Sequence, residues 1–180
     1  HPASVPASLA GATLAIGNFD GVHRGHQALL AAARERARAD GRPLAALTFE
    51  PHPRRLFQPD LPPFRLTPFR IKARHLEALG LDFLVALRFD RAFAGVAAED
   101  FATDVLAKGI RASEVVVGYN FAYGHKRQGN TATLANAGRT HGFEATILPA
   151  VKGGHGEIYS STLIREHLSA GRPVEAAALL

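Results

Sequence analysis

Two imidazoles and three glycines fall within ten residues, Gly17-Asn18-Phe19-Asp20-Gly21-Val22-His23-Arg24-Gly25-His26. The short apolar run Thr13-Leu14-Ala15-Ile16 precedes them, and an amphipathic helical pattern begins at Gln27. A strand therefore hands over to a helix here. That corner suits a phosphate, because free helix N–H groups and the positive end of the dipole point into it. Small residues at 17, 21 and 25 allow close backbone approach. His23 and His26 are three apart and share a face once the helix starts, so both can meet one triphosphate. The competing readings are a turn with two helix-capping histidines, or a zinc site, which lacks a third ligand nearby. The spacing is neither G-x-G-x-x-G nor a P-loop. A helix N-terminus disfavours imidazolium by about 0.3–1 kcal/mol. A phosphate charge about 4 Å away favours it by about 1–4 kcal/mol. One of the two histidines is therefore expected to be neutral in the free protein and to take up a proton when a triphosphate binds.

A second group of polar side chains, Ser160-Ser161-Thr162-Leu163-Ile164-Arg165, opens an apolar helical pattern near the other end of the chain. Its hydroxyls are natural helix caps, and Arg165 and Glu166 could be solvated. A third stretch, Gly118-Tyr119-Asn120-Phe121-Ala122-Tyr123-Gly124-His125-Lys126-Arg127-Gln128-Gly129-Asn130, puts Phe121, Tyr123 and Arg127 after an apolar run. These groups suit a flat ring plus a phosphate. Phe121 reads equally well as core, and Arg54, Arg55, Lys126 and Arg127 as solvated loop charges.

The elements that must hold these residues alternate along the chain. Apolar runs at 13–17, 44–49, 83–87, 114–118 and 144–148 predict five strands. Helical patterns fill 27–40, 68–79, 99–108, 133–141, 161–170 and 173–180, several of them closed by glycine. The expected fold is α/β, a Rossmann-like, mostly parallel five-stranded sheet with helices on both faces. Ligands in such sheets lie beyond the carboxyl ends of the strands. Three long connections leave those ends, at 18–26, 50–67 and 119–132. The second contains five prolines and reads as a functional flap. Residues 1–12 read as a loose, flexible leader, and 13–180 as one domain.

The composition sets limits. Without cysteine there is no disulfide, thiolate nucleophile or Cys-type zinc site, in keeping with a cytoplasmic protein. The net charge of +5 is spread along the chain rather than gathered in a stripe, which favours a small polyanionic ligand over nucleic acid. No apolar stretch approaches the roughly 18 residues of a membrane span. The start His1-Pro2-Ala3 lacks an initiator Met, and both ends read as cut.

The first stretch resembles the H-x-G-H signature of the nucleotidyltransferase superfamily, and its longer form G-N-F-D-G-V-H-x-G-H resembles that of bacterial FAD synthetases. Thr48-Phe49-Glu50-Pro51-His52-Pro53 is similar to their T-F-E-P-H-P. The 118–130 segment is similar to their G-x-[DN]-F-x-F-G-x-x-R-x-G, with Tyr123 where Phe is commoner. Ser160–Arg165 resembles their S-S-T-x-I-R. The resemblance implies an FMN adenylyltransferase that makes FAD and pyrophosphate from ATP and FMN, with Mg2+. It implies an ATP site of Gly17, Asn18, Phe19, His23, Gly25, His26, Ser161, Thr162 and Arg165. In it two helix N-termini and an arginine would clamp the triphosphate, and His23, His26 and Arg165 would carry the chemistry. Asn120, Phe121, Tyr123 and Arg127 would seat FMN, with Phe57 and Phe64 of the flap over the isoalloxazine, and Asn120 is also the candidate Mg2+ ligand. Bacterial members usually add a C-terminal riboflavin kinase module, so one is expected in the full-length protein. A related transferase with another phosphate acceptor, or a non-catalytic flavin- or nucleotide-binding module, are the alternatives.

Overall fold

Strands β1 (Thr13–Ile16), β2 (Leu44–Glu50), β3 (Phe83–Arg88) and β4 (Glu114–Gly118) belong to one sheet with β7 (Glu144–Leu148), in the order β3-β2-β1-β4-β7. The computed structural model describes residues 5–60, 64–154 and 156–180. Leader residues 1–4 and Pro62 and Pro63 of the flap lie outside the described residues. All four strand pairings are parallel, with Leu14 in register with Ala45 on one side and Val115 on the other. The helices are α1 (Arg24–Ala39), α2 (Pro53–Phe57), α3 (Phe69–Ala78), α4 (Arg91–Ala94), α5 (Ala98–Asp100), α6 (Thr131–His141), α7 (Ser161–Ser169) and α8 (Pro173–Ala178). A two-stranded antiparallel ribbon, β5 (Ala122–Tyr123) with β6 (Gly129–Asn130), follows β4.

Alternation along the central strands builds a core on each face of the sheet. Leu14, Ile16, Ala45, Leu47, Val115 and Val117 face a π-helical segment (Phe101–Ile110) and α6. Ala15, Ala46 and Val116 face Leu29, Leu30, Ala33 and Ala37 of α1 and Leu76 of α3. All four residues of β1 are buried, which is why the strand reads as a continuous apolar run. β1 pairs with both β2 and β4: the chain builds outward from β1 through β2 to β3 and then returns to the other side of β1 at β4, so the strand order reverses there. In open α/β sheets ligands bind at that switch point, beyond the carboxyl ends of the strands.

Three expectations change. Residues 7–12 are not a loose leader: Ala7–Leu9 form a 3-10 turn, Leu9 and Ala12 are buried in the core, and the Gly11 N–H donates to the Arg111 carbonyl at 2.8 Å. The first helix starts at Arg24 rather than at Gln27, because His23 takes the N-cap position and its carbonyl accepts the N–H groups of His26 and Gln27. The expected helix 99–108 is π-helical over Phe101–Ile110, with α5 leading into it. Among the described residues no helix is long and apolar enough to cross a membrane.

Candidate active site

The two imidazoles lie at the entrance to α1. His23 is its N-cap, and His26 lies in the first turn. Their rings stack with centroids 3.7 Å apart, and the Phe19 ring packs against His26 at 5.2 Å. The glycines of this stretch make room for the protein's own rings. A Cβ on Gly17 would lie 3.3 Å from the Phe19 ring, and one on Gly25 would lie 3.1 Å from the His23 ring and 3.2 Å from the Tyr159 carbonyl. Phe19 was expected to line the nucleotide site, but it is fully buried and supports the histidines from beneath. Asn18 is exposed, while its carbonyl accepts the Thr48 hydroxyl and the Lys72 ammonium.

Both histidines are held neutral. Burial lowers His23 to about 4, opposed by the Asp20 carboxylate and reinforced by Arg165. Burial pushes His26 well below its usual value, with His23 and Lys72 adding to the effect. The leading cause is desolvation, where the sequence reading had pointed to the helix dipole. The expectation of protonation on triphosphate binding is weakened too. Raising His23 from about 4 to 7 needs about 4 kcal/mol, so protonation would need more than the low end of what a single phosphate charge supplies. His23 is therefore neutral near pH 7 in the free protein. The Nδ1 atoms of both rings are buried and without a hydrogen-bond partner.

The second helix end arrives at the same place. Ser160 caps α7 by accepting the Leu163 N–H at 3.1 Å, while the Ser161 hydroxyl donates to the Asp20 carbonyl at 2.8 Å. The α1 cap, by contrast, makes no side-chain capping bond. Its Arg24 N–H donates to the Leu179 carbonyl at 3.0 Å, so α8 also touches this end. The structure thus joins the first motif to Ser161. Thr162 is exposed in the first turn of α7. Arg165 was expected to grip phosphates, but it is already engaged, with Nε donating to the Phe64 carbonyl at 2.7 Å and Nη2 paired with Asp20.

Two residues given no role in the sequence reading organise this corner. Asp20 is 2% exposed and bonds to Leu66 and Thr67 as well as to Arg165. Lys72, also 2% exposed, spends its ammonium donors on the Asn18 carbonyl (3.1 Å), the Thr48 hydroxyl (3.0 Å) and Glu50 (2.7 Å). Burial lowers its pKa and the Glu50 carboxylate opposes the shift. Glu50 is further paired with Arg65. One signal for Lys72 was available: it lies four residues before Leu76, on the buried stripe of α3.

The candidate flavin side is less assembled. Asn120 and Arg127 are exposed, and Phe57 is 66% exposed with its ring edge toward Phe89. Tyr123 packs into the core. It is buried against Phe101, its hydroxyl is 3.3 Å from that of Thr133, and burial raises its pKa. Phe121 stacks on Tyr123 and is half-buried. Phe64 of the flap lies between the guanidinium groups of Arg54 and Arg165, at 5.4 and 5.5 Å, with His52 at its edge. Burial lowers His52 to about 4, and its Nδ1 accepts the Arg54 N–H. Among the described residues no group of three His, Asp or Glu side chains could hold a metal. A cavity lined by Arg34, Arg38, Arg42 and Asp82 lies at the opposite, amino ends of the strands and contains none of the candidate residues.

Known proteins resemble this chain in sequence and fold. A family model described as FAD synthetase matches residues 5–162. The chain is 41% identical over 94% of its length to the bifunctional riboflavin kinase/FMN adenylyltransferase of Escherichia coli (strain K12), of which it covers 54%. The chain therefore spans about half the length of that curated relative. It is 37% identical over its whole length to a putative bifunctional riboflavin kinase/FMN adenylyltransferase of Geobacillus thermodenitrificans, of which it covers 95%. Among solved structures, a Streptococcus pneumoniae chain described as a macrolide-efflux protein superposes with a TM-score of 0.85 at 28% identity, over 98% of this chain and 57% of that one. A pantothenate synthetase from Thermus thermophilus superposes at 0.58 with 17% identity, over 97% and 67%, a likeness of fold alone. The family match extends from the packed N-terminal turn to the start of α7 and takes in the whole first motif and Ser160–Thr162 of the second, so the chain belongs to the FAD synthetase family.

Proposed function

We propose that this chain is an FMN adenylyltransferase. An oxygen of the FMN phosphate attacks the α-phosphorus of ATP in line, the bond from that phosphorus to the bridging oxygen breaks, and FAD and pyrophosphate form. The observation that carries this reading is the meeting of two helix N-termini, α1 and α7, through the Ser161 hydroxyl on the Asp20 carbonyl, with two neutral imidazoles beside them. Such a corner stabilises developing negative charge on a leaving pyrophosphate without a protein nucleophile. His23 and His26 each offer one N–H, Gly17, Gly25 and Asn18 shape the loop around them, and Ser161, Thr162 and Arg165 flank the leaving group. Asn120, Phe121 and Arg127, at the end of the adjacent strand β4, are the candidate FMN contacts, with Phe57 on the flap.

A resident Mg2+ does not fit the residues present. Asp20 is consumed by Arg165 and two backbone N–H groups, and Asn120 has no carboxylate cluster around it among the described residues. Mg2+ enters as part of the ATP substrate, as is usual for an ion that keeps its waters and binds phosphates, and no step is assigned to it. A riboflavin kinase module is the expected partner in the full-length protein, in line with the bifunctional relatives. The reading is tested by mixing the protein with ATP, Mg2+ and FMN and following FAD and pyrophosphate. FAD made from FMN but not from riboflavin supports it, whereas nucleotide binding without turnover removes it.

A further inference from the structure

A buried carboxylate is costly unless it is paired and fully bonded, so the partners of Asp20 show what it is for. One of its oxygens accepts the N–H groups of Leu66 and Thr67, both at 3.0 Å, and lies 3.4 Å from the Thr67 hydroxyl. The other is ion-paired with Arg165. The neighbouring Gly21 N–H donates to the Thr67 hydroxyl at 3.0 Å, and the Asp20 carbonyl accepts from Ser161. One residue therefore fastens the β1–α1 loop to the end of the flap and to α7. Arg165 has five N–H donors. Nε is spent on the Phe64 carbonyl and one Nη2 hydrogen on Asp20. Three donors remain, on a side chain that is 19% exposed.

We propose that Asp20 is a positioning residue for the adenylyl-transfer site, holding the Arg165 guanidinium with three N–H donors left for the triphosphate and remaining bonded to it when ATP binds. The inference rests on the proposed function for the identity of the ligand. Its physical basis is the alternative: if Arg165 moved to a phosphate, Asp20 would be buried without its ion-pair partner and the Phe64 carbonyl would lose its donor. The pair therefore stays together, and the phosphate takes the opposite side of the guanidinium.

The test is calorimetric binding of inorganic pyrophosphate to the wild type, Asp20→Asn, Arg165→Gln and the double variant. Each single substitution is expected to weaken binding about ten- to hundredfold. The double variant should be no weaker than Arg165→Gln alone, because Asp20 acts through Arg165, and FMN affinity should not change. Additive losses, or wild-type affinity in Asp20→Asn, would overturn the proposal. Should Asp20→Asn fail to fold, the wild type decides by NMR. On pyrophosphate titration the Arg165 Nε–H should stay protected from exchange while the Nη signals move, and loss of Nε–H protection overturns the proposal. Non-additive losses in the variants, with a wild type that makes no FAD, leave the role of Asp20 standing and remove the FMN reading. FAD synthesis with additive losses does the reverse, and a wild type that binds no pyrophosphate removes both.

Discussion

At the scale of single residues, the neutral state of the histidines governs both chemistry and stability. His26→Ala should lower kcat by about 10²–10³ with the fold intact, as for the loss of one pre-placed oxyanion donor. Near wild-type turnover would take His26 out of the mechanism. His23 titrates near 4 in the folded protein and near 6.5 when unfolded. Between those values the unfolded chain binds a proton that the folded one does not, so stability falls as pH drops from 6.5 toward 4. The loss from His23 is at most roughly 3 kcal/mol. Thermal melts from pH 7 to pH 4.5 should show a declining Tm, with a shallower decline in His23→Gln. Equal slopes in the two proteins would show that His23 is not the group responsible.

At the scale of elements, Lys72 ties α3 to the carboxyl ends of β1 and β2. Lys72→Met keeps the bulk but leaves the Asn18 carbonyl and the Thr48 hydroxyl without the ammonium, and leaves Glu50 with Arg65. The expected cost is about 1–3 kcal/mol, read as a lower urea midpoint at unchanged slope. An unchanged midpoint would mean that Thr48 alone holds the loop. The strands were legible in the sequence because parallel strands buried on both faces are plain apolar runs, as in Val115-Val116-Val117. The start of α1 was not, since histidine is outside the usual set of N-cap residues. Lys72 and Asp20 were hidden for one reason: a charge can be buried only when distant partners meet it, and those partners lie 22 to 145 residues away along the chain. Tyr123 was misplaced because an aromatic at the end of a sheet serves a core and a ligand site equally well by type, and only the contact with Phe101 decides.

At the scale of the whole molecule, the N-terminal turn belongs to the folding unit. Leu9 is buried in the same core as Leu14, Leu106 and Ile110. Leu9→Ala should therefore cost about 2–5 kcal/mol, the range for emptying a buried leucine site, measured by denaturant unfolding. A change under about 0.5 kcal/mol, typical of a surface position, would restore the loose-leader reading.

The bond from the Arg24 N–H to the Leu179 carbonyl, with the Asp20–Arg165 pair beside it, also sets an order of events during synthesis. β7 ends at Leu148, so a growing chain that has emerged that far holds every strand of the main sheet. It still lacks Ser161, Arg165 and Leu179, which complete the corner from 141 to 155 residues downstream of their partners. Contacts of such long range form late. Nascent chains on the ribosome can therefore gather a nearly finished scaffold well before the corner between α1 and α7 closes.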